Sequence, residues 1–185
     1  MKFKTKAQNL INLKLKNASI PKVYYFKVKD YKKNKIIYLN NIKRKFKKKI
    51  AIRSSSSRED GVNSSNAGMF KSFLNIIPNN EKMLSFYIDE VILSYEKKKG
   101  GNDEILIQEM VNNVSISGVA TSCDKDTFSP YYHINFSKNK DTSLVTSGKD
   151  GSKSFIFFKF SKIKPKSLFL KKIINLISEL EKKFK

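Results

Sequence analysis

The spacing of apolar positions changes twice along the chain. Residues 6 to 16 (KAQNLINLKLK) place Leu10, Ile11 and Leu15 on one face and predict a short helix ending before the turn at Asn17 to Pro21. A strand is expected at Val23 to Val28. Tyr31 to Lys48 carries Ile36, Ile37, Leu39, Ile42 and Phe46 among lysines, which predicts an exposed amphipathic helix. Lys49 to Arg53 reads as a short buried strand that runs into SSSSREDGVNSSNAG, whose Ser, Asn and Gly favour turns. Phe73 to Ile76 reads as a further strand. Pro78 and Asn79 then open a helix in which Leu84, Ile88, Val91 and Tyr95 follow helical spacing, and Gly100 and Gly101 end it.

Beyond that point the pattern is one of strands. EILIQEMV (104 to 111), SISGVATS (115 to 122), YYHINFS (131 to 137) and SFIFFKF (154 to 160) are separated by Asn, Asp, Ser and Gly turns. A closing helix is predicted over about Pro165 to Phe184, with Leu170, Ile173, Ile174, Ile177 and Leu180 on one side. There is no internal repeat. At 185 residues the chain fits one domain with a real core, a first part to about residue 100 and a strand-rich part from about 101 to 185.

Composition qualifies this picture. With 39% hydrophobic and 12% aromatic residues the chain can bury a core. A formal charge of +22 directs attention to anionic partners, and KRKFKKK at Lys43 to Lys49 is its densest run. Against a nucleic-acid surface stands the scarcity of arginine, limited to Arg44, Arg53 and Arg58, since arginine makes the bidentate contacts to bases and phosphates. Lysine is spread along the chain together with Asn, Ile and Phe, as a general compositional bias would also produce. A lysine-rich nucleic-acid-binding protein remains the alternative at this point. One cysteine, Cys123, and one histidine, His133, exclude a disulfide framework and a multi-cysteine zinc site. No apolar run approaches the roughly 18 residues of a spanning helix, and MKFKTKAQNL lacks an apolar signal core, so a cytoplasmic protein is expected.

The chemistry concentrates at IAIRSSSSREDG. A strand end that delivers Arg53 beside several hydroxyls and free backbone amides can cradle a phosphate, although serine-rich loops are commonly no more than loops. Gly68 would let backbone approach a ligand closely.

IAIRSSSSREDGVNSSNAGMFKSFLNI resembles the signature of the nucleotide-binding domain of the pyruvate phosphate dikinase and phosphoenolpyruvate synthase family. The matching features are Ile52, Arg53, Ser54 and Ser55, then Glu59 and Asp60, then Ser65, Ala67 and Gly68, in that order. KAQNLINLK is similar to the family's first lysine-containing segment, and IPKVYYFKV to the strand after it. EILIQEMVNNVSISGVATSCDKDT is similar to the family's glutamine-x-methionine-valine segment and the serine-glycine-valine strand that follows. DTSLVTSG at 141 to 148 resembles a later turn.

The resemblance implies an α+β, ATP-grasp-like domain that holds ATP between two subdomains. It gives Arg53 a catalytic and phosphate-binding role, places Lys6, Ser54, Ser55, Ala67 and Gly68 around the phosphates, and places Gln108, Glu109, Met110 and Val111 around the adenine. It also implies magnesium and a kinase-type transfer of phosphate from ATP to a histidine on a separate domain, the remaining domains being the expected partners. The family's magnesium carboxylates follow its last helix, so the chain is expected to be a partial domain that lacks them and is not catalytically complete alone. A degenerate relative kept as an interaction module is a further alternative. Each position also has a plainer reading: an ion-paired Arg53, a solvated Lys6 beside Lys2 and Lys4, an edge-strand Gln108, and a solvated acidic pair at Glu59 and Asp60. Structural roles are expected for Cys123 and His133, while Asn135 is open equally to a metal or ribose contact and to a plain strand asparagine at a turn.

Overall fold

The computed structural model describes residues 4–57, 60–61, 64–65, 70–96, 102–138 and 153–184. These residues fall into two compact units. One comprises the chain up to Lys14 together with Ile20–Met110, and the other comprises Leu15–Ser19 together with the chain from Val111 onward.

The first unit is built on β1 (Val23–Lys27), β2 (Ile50–Ser56), β5 (Ser72–Ile76) and β6 (Asp103–Glu109), with the two-residue strands β3 (Asp60–Gly61) and β4 (Ser64–Ser65) paired separately. The sheet order is β1-β6-β2-β5, and every pairing is antiparallel. β6 therefore lies in the middle of this first sheet, and the two units divide after Met110. Side chains alternate across the sheet. Tyr24 and Phe26 of β1, Ile105 and Ile107 of β6, and Ile50 and Ile52 of β2 share the face that forms the main core. Helix α3 (Lys35–Lys45) contributes Leu39 and Ile42 to it, and α4 (Glu81–Glu96) contributes Leu84, Ile88, Val91, Ile92 and Tyr95.

Several element boundaries move for local reasons. Helix α1 is Lys6–Asn12, shorter than predicted, because Leu13 turns extended at φ −83° and ψ 118°. The expected helix over Tyr31 to Lys48 is two helices, α2 (Val28–Lys33) and α3, broken at Asn34 with φ −151° and ψ 74°. α4 begins at Glu81, where the Asn80 side chain accepts the Met83 N–H at 3.1 Å and caps the first turn. β5 carries one extra residue between Phe73 and Ile76, opposite Ile50 and Ile52, and Asn75 absorbs that bulge at φ 61°. The largest change concerns the serines. Ser54, Ser55 and Ser56 continue β2 as buried strand residues rather than opening a loop.

The second unit pairs β7 (Ser117–Thr121), β8 (Tyr131–Ser137) and β9 (Lys153–Phe158) in that order, all antiparallel. Helix α5 (Leu168–Phe184) supplies Leu170, Ile173, Ile174 and Ile177 to a core shared with Tyr132, Ile134, Phe136, Phe155 and Phe157. It starts at Leu168 because Ser167 accepts the Leu170 N–H through Oγ and the Lys171 N–H through its carbonyl. Gly118 permits the close β7–β8 contact, since a Cβ there would lie 2.6 Å from the Asn135 carbonyl oxygen. Glu179 of α5 accepts the backbone N–H groups of Lys16 and Asn17 at 2.7 and 3.2 Å.

Candidate functional site

The face of the first sheet opposite the main core carries the polar chemistry. Its side chains form three rungs across β1, β6 and β2: Val23–Gln108–Ala51, Tyr25–Leu106–Arg53 and Lys27–Glu104–Ser55. Directly opposed positions in antiparallel strands hold their Cβ atoms about 5 Å apart. Arg53, Ser55, Glu104 and Gln108 are thus neighbours because alternation and register put them on one surface. Ser54, by the same parity, shares the opposite face with Ile52 and Ile105.

Arg53 is half-buried, with its Nε shielded from solvent and, among the described residues, without a hydrogen-bond partner. No carboxylate among the described residues pairs with its guanidinium. Burying a charged group without a partner is costly, so such a group ordinarily meets an anion or a carbonyl. Gln108 is also half-buried, and its amide makes no hydrogen bond among the described residues.

Helix α1 comes to the same face. Thr5, its N-cap, donates from Oγ1 to Glu104 Oε2 at 2.5 Å, and Gln8 donates from Nε2 to Glu104 Oε1 at 2.6 Å. Ser55 Oγ accepts the Ala7 N–H at 2.9 Å. Lys6, the first helical residue, stands between these anchors. At the end of the rung, the Tyr95 hydroxyl accepts the Ser55 N–H at 2.8 Å and donates to the Glu104 carbonyl at 2.6 Å. Ser56 Oγ donates to Asp103 Oδ1 at 2.7 Å.

Met110 closes the strand: its N–H donates to the Lys49 carbonyl at 2.9 Å, and its side chain is half-buried. Val111 is 60% exposed. The structure therefore brings together Arg53, Ser55, Gln108 and the start of α1, and directs the Ser54 side chain away from them. Arg58, Glu59, Ala67, Gly68 and the 141 to 148 turn lie outside the described residues, and of Asp60 and Ser65 only the backbone is described. The resemblance did not mark Tyr25 or Glu104. The signal for Glu104 was available in the sequence, because it keeps the period-two phase of Gln108 on the same strand, whereas Tyr25 is on a strand without a candidate and is brought in by register alone.

The sequence model of the pyruvate phosphate dikinase AMP/ATP-binding domain matches residues 5–183. The chain belongs to that family. No curated protein matches it. The α+β architecture is consistent with the pyruvate phosphate dikinase AMP/ATP-binding domain, and membership carries nucleotide binding with it.

Other features expected from the sequence resolve into ordinary contacts. His133 Nε2 lies 3.3 Å from Asp124 Oδ2. The Thr127 backbone N–H and hydroxyl, together with the Asp126 N–H, hold the Asp124 carboxyl below the usual carboxylate range. Asn135 Oδ1 accepts the Ser154 hydroxyl at 2.6 Å. In the basic run, Lys43 pairs with Glu81 at 2.5 Å, Lys48 lies 3.7 Å from Glu109, Lys45 sits 5.3 Å from the Tyr24 ring centroid, and Phe46 is fully buried. That run is partly spent within the fold. Among the described residues no helix is long and apolar enough to cross a membrane. Among the described residues no group of three or more His, Cys, Asp or Glu is placed to hold a metal ion.

Proposed function

We propose that the protein binds ATP on the Arg53–Gln108 face of the first sheet, as the nucleotide-binding portion of a pyruvate phosphate dikinase-like or phosphoenolpyruvate synthase-like phosphotransferase. The observation that carries this reading is the half-buried Arg53 with its unpartnered Nε. A guanidinium presents a planar fork to phosphate oxygens, and a phosphate there would satisfy the donor that the fold leaves unmet. Lys6 adds a second positive charge toward the phosphates. Ser55 acts through its bond to α1 and serves to place that helix. Ser54 contributes as part of the strand backbone, and Ala67 and Gly68 belong to the same proposed phosphate loop.

Gln108, Met110 and Val111 are the proposed adenine-side residues. Gln108 has an uncommitted amide that can both donate to and accept from a base edge. Magnesium enters the proposal only as the counter-ion that ATP carries, and no step is assigned to it. Transfer of phosphate to a histidine on another domain, a cytoplasmic location and partnership with the remaining domains are parts of the same reading.

Titration with ATP, followed by calorimetry, tests it. Arg53→Ala is expected to weaken ATP binding at least about tenfold, the minimum for losing a charged hydrogen bond. Unchanged affinity would sink the reading, and steeply salt-dependent binding of single-stranded nucleic acid that ATP does not compete away would replace it.

A further inference from the structure

We infer that Glu104 is a positioning residue for this site: it clamps the first turn of α1 to the sheet, which sets Lys6 beside Arg53 and keeps Arg53 available to the ligand. The inference rests on the nucleotide reading above. Glu104 is 0% exposed, yet among the described residues no basic side chain pairs with it. Both of its carboxylate oxygens are engaged by α1, Oε2 by the Thr5 hydroxyl and Oε1 by the Gln8 amide. A buried carboxylate that accepts only neutral donors is expensive unless its geometry is fixed, so the arrangement resists displacement.

Thr5 and Gln8 bracket Lys6, and Ala7 is held from the next strand by Ser55, which sits directly opposite Glu104. Residues on both sides of Lys6 are therefore bonded to one rung of the sheet. The adjacent rung on the same face is Arg53 with Leu106. A carboxylate one rung from a guanidinium would ordinarily capture it. Here each oxygen is held toward α1, one by Thr5 and one by Gln8, and among the described residues no carboxylate pairs with the guanidinium, which keeps its donors for an anion.

Glu104→Gln replaces one acceptor oxygen with a group that cannot accept, and ATP and adenosine affinities separate its possible roles. Positioning of Lys6 predicts that ATP binding weakens about tenfold while adenosine binding is unchanged, since the lost contact is to phosphate. It also predicts coupling: Lys6→Ala costs about tenfold in the native background and less than about twofold on top of Glu104→Gln. Independent, multiplying losses would overturn the inference, as would equal weakening of ATP and adenosine. If Glu104→Gln does not fold, Thr5 decides the matter. Thr5→Ser keeps the hydroxyl and should bind ATP like the native protein, whereas Thr5→Val should lose about tenfold. Equal binding by the two overturns the clamp. Arg53→Ala run alongside distinguishes the failures. Loss of ATP binding in Arg53→Ala with none in Glu104→Gln overturns the clamp alone, and loss in neither removes the nucleotide reading and the clamp with it.

Discussion

Arg53→Met should make the free protein more stable and the ATP-bound protein less so. In the free state Arg53 Nε is buried without a partner, and an unsatisfied buried donor costs about 1–3 kcal/mol. Methionine retains an unbranched stem of similar reach, and the position opposite is the fully buried Leu106, so an apolar side chain has a neighbour to pack on. The expected gain is about 1 kcal/mol, the low end of that range, and raises Tm by roughly 2–4 °C for a chain of this size. With ATP the order reverses. At a concentration of about 100 times the native Kd, ATP adds about 2.7 kcal/mol to the native protein. A bidentate guanidinium–phosphate contact is worth up to about 3 kcal/mol, so its loss raises Kd about a hundredfold and leaves the variant only about 0.4 kcal/mol of ligand stabilisation. Thermal melts of both proteins, with and without ATP, give the four numbers required. Two outcomes would refute the reasoning separately. A variant less stable than the native protein without ATP would show that the buried donor carries no penalty, and an equal ATP-induced rise in both would show that ATP does not meet Arg53.

Two further expectations concern the fold around the site. Tyr95→Phe removes a hydroxyl that serves both the Ser55 N–H and the Glu104 carbonyl, and should lower stability by about 2 kcal/mol; urea denaturation should show an earlier midpoint at an unchanged slope, and a loss below about 0.5 kcal/mol would make the hydroxyl a bystander. Burial pushes the Tyr31 and Tyr132 phenols up to about 12, and the Glu181 carboxylate adds to the effect at Tyr132. Because the folded values lie above the ordinary 10, the stability these neutral phenols provide is complete below pH 10 and is lost as pH rises through 12. Phenolate absorbance should show a late-ionising class and unfolding in that window, whereas a single titration near 10 in a folded protein would contradict it.

Long apolar periodicities survived from sequence to structure. The positions named for α4 are all buried, and β8 spans the residues its alternation marked. The discrepancies arise where a tertiary partner overrides a local preference. Three consecutive serines read as a turn because serine favours one. Within the fold, Ser55 and Ser56 are held in a strand by Tyr95, Ala7 and Asp103, residues 40 to 48 positions away in the chain. No local window contains those partners. The break at Asn34 is a different case, since apolar residues on both sides keep helical spacing and only the backbone of one residue departs from it.

At the site, the family motif and the strand geometry convey different information. The motif names neighbours in sequence, Arg53, Ser54 and Ser55, as one unit. A strand separates them by parity, so Arg53 and Ser55 face α1 while Ser54 faces the core side with Ile52. Parity also recruits Glu104 and Tyr25, which lie on strands distant in sequence. A one-residue slip of β2 against β6 would exchange the two sets, placing Arg53 in the main core and Ile52 at the site. The packing of Ile50 and Ile52 against Ile105 and Ile107 opposes that slip, because it would take the two buried isoleucines of β2 out of the main core. At about 1.5–3 kcal/mol for each of the two isoleucines, the penalty exceeds the cost of the single unpartnered donor at Arg53. The hydrophobic pattern on one face thus fixes the polar chemistry on the other, and the fold can keep Arg53 half-buried and unpartnered without losing register.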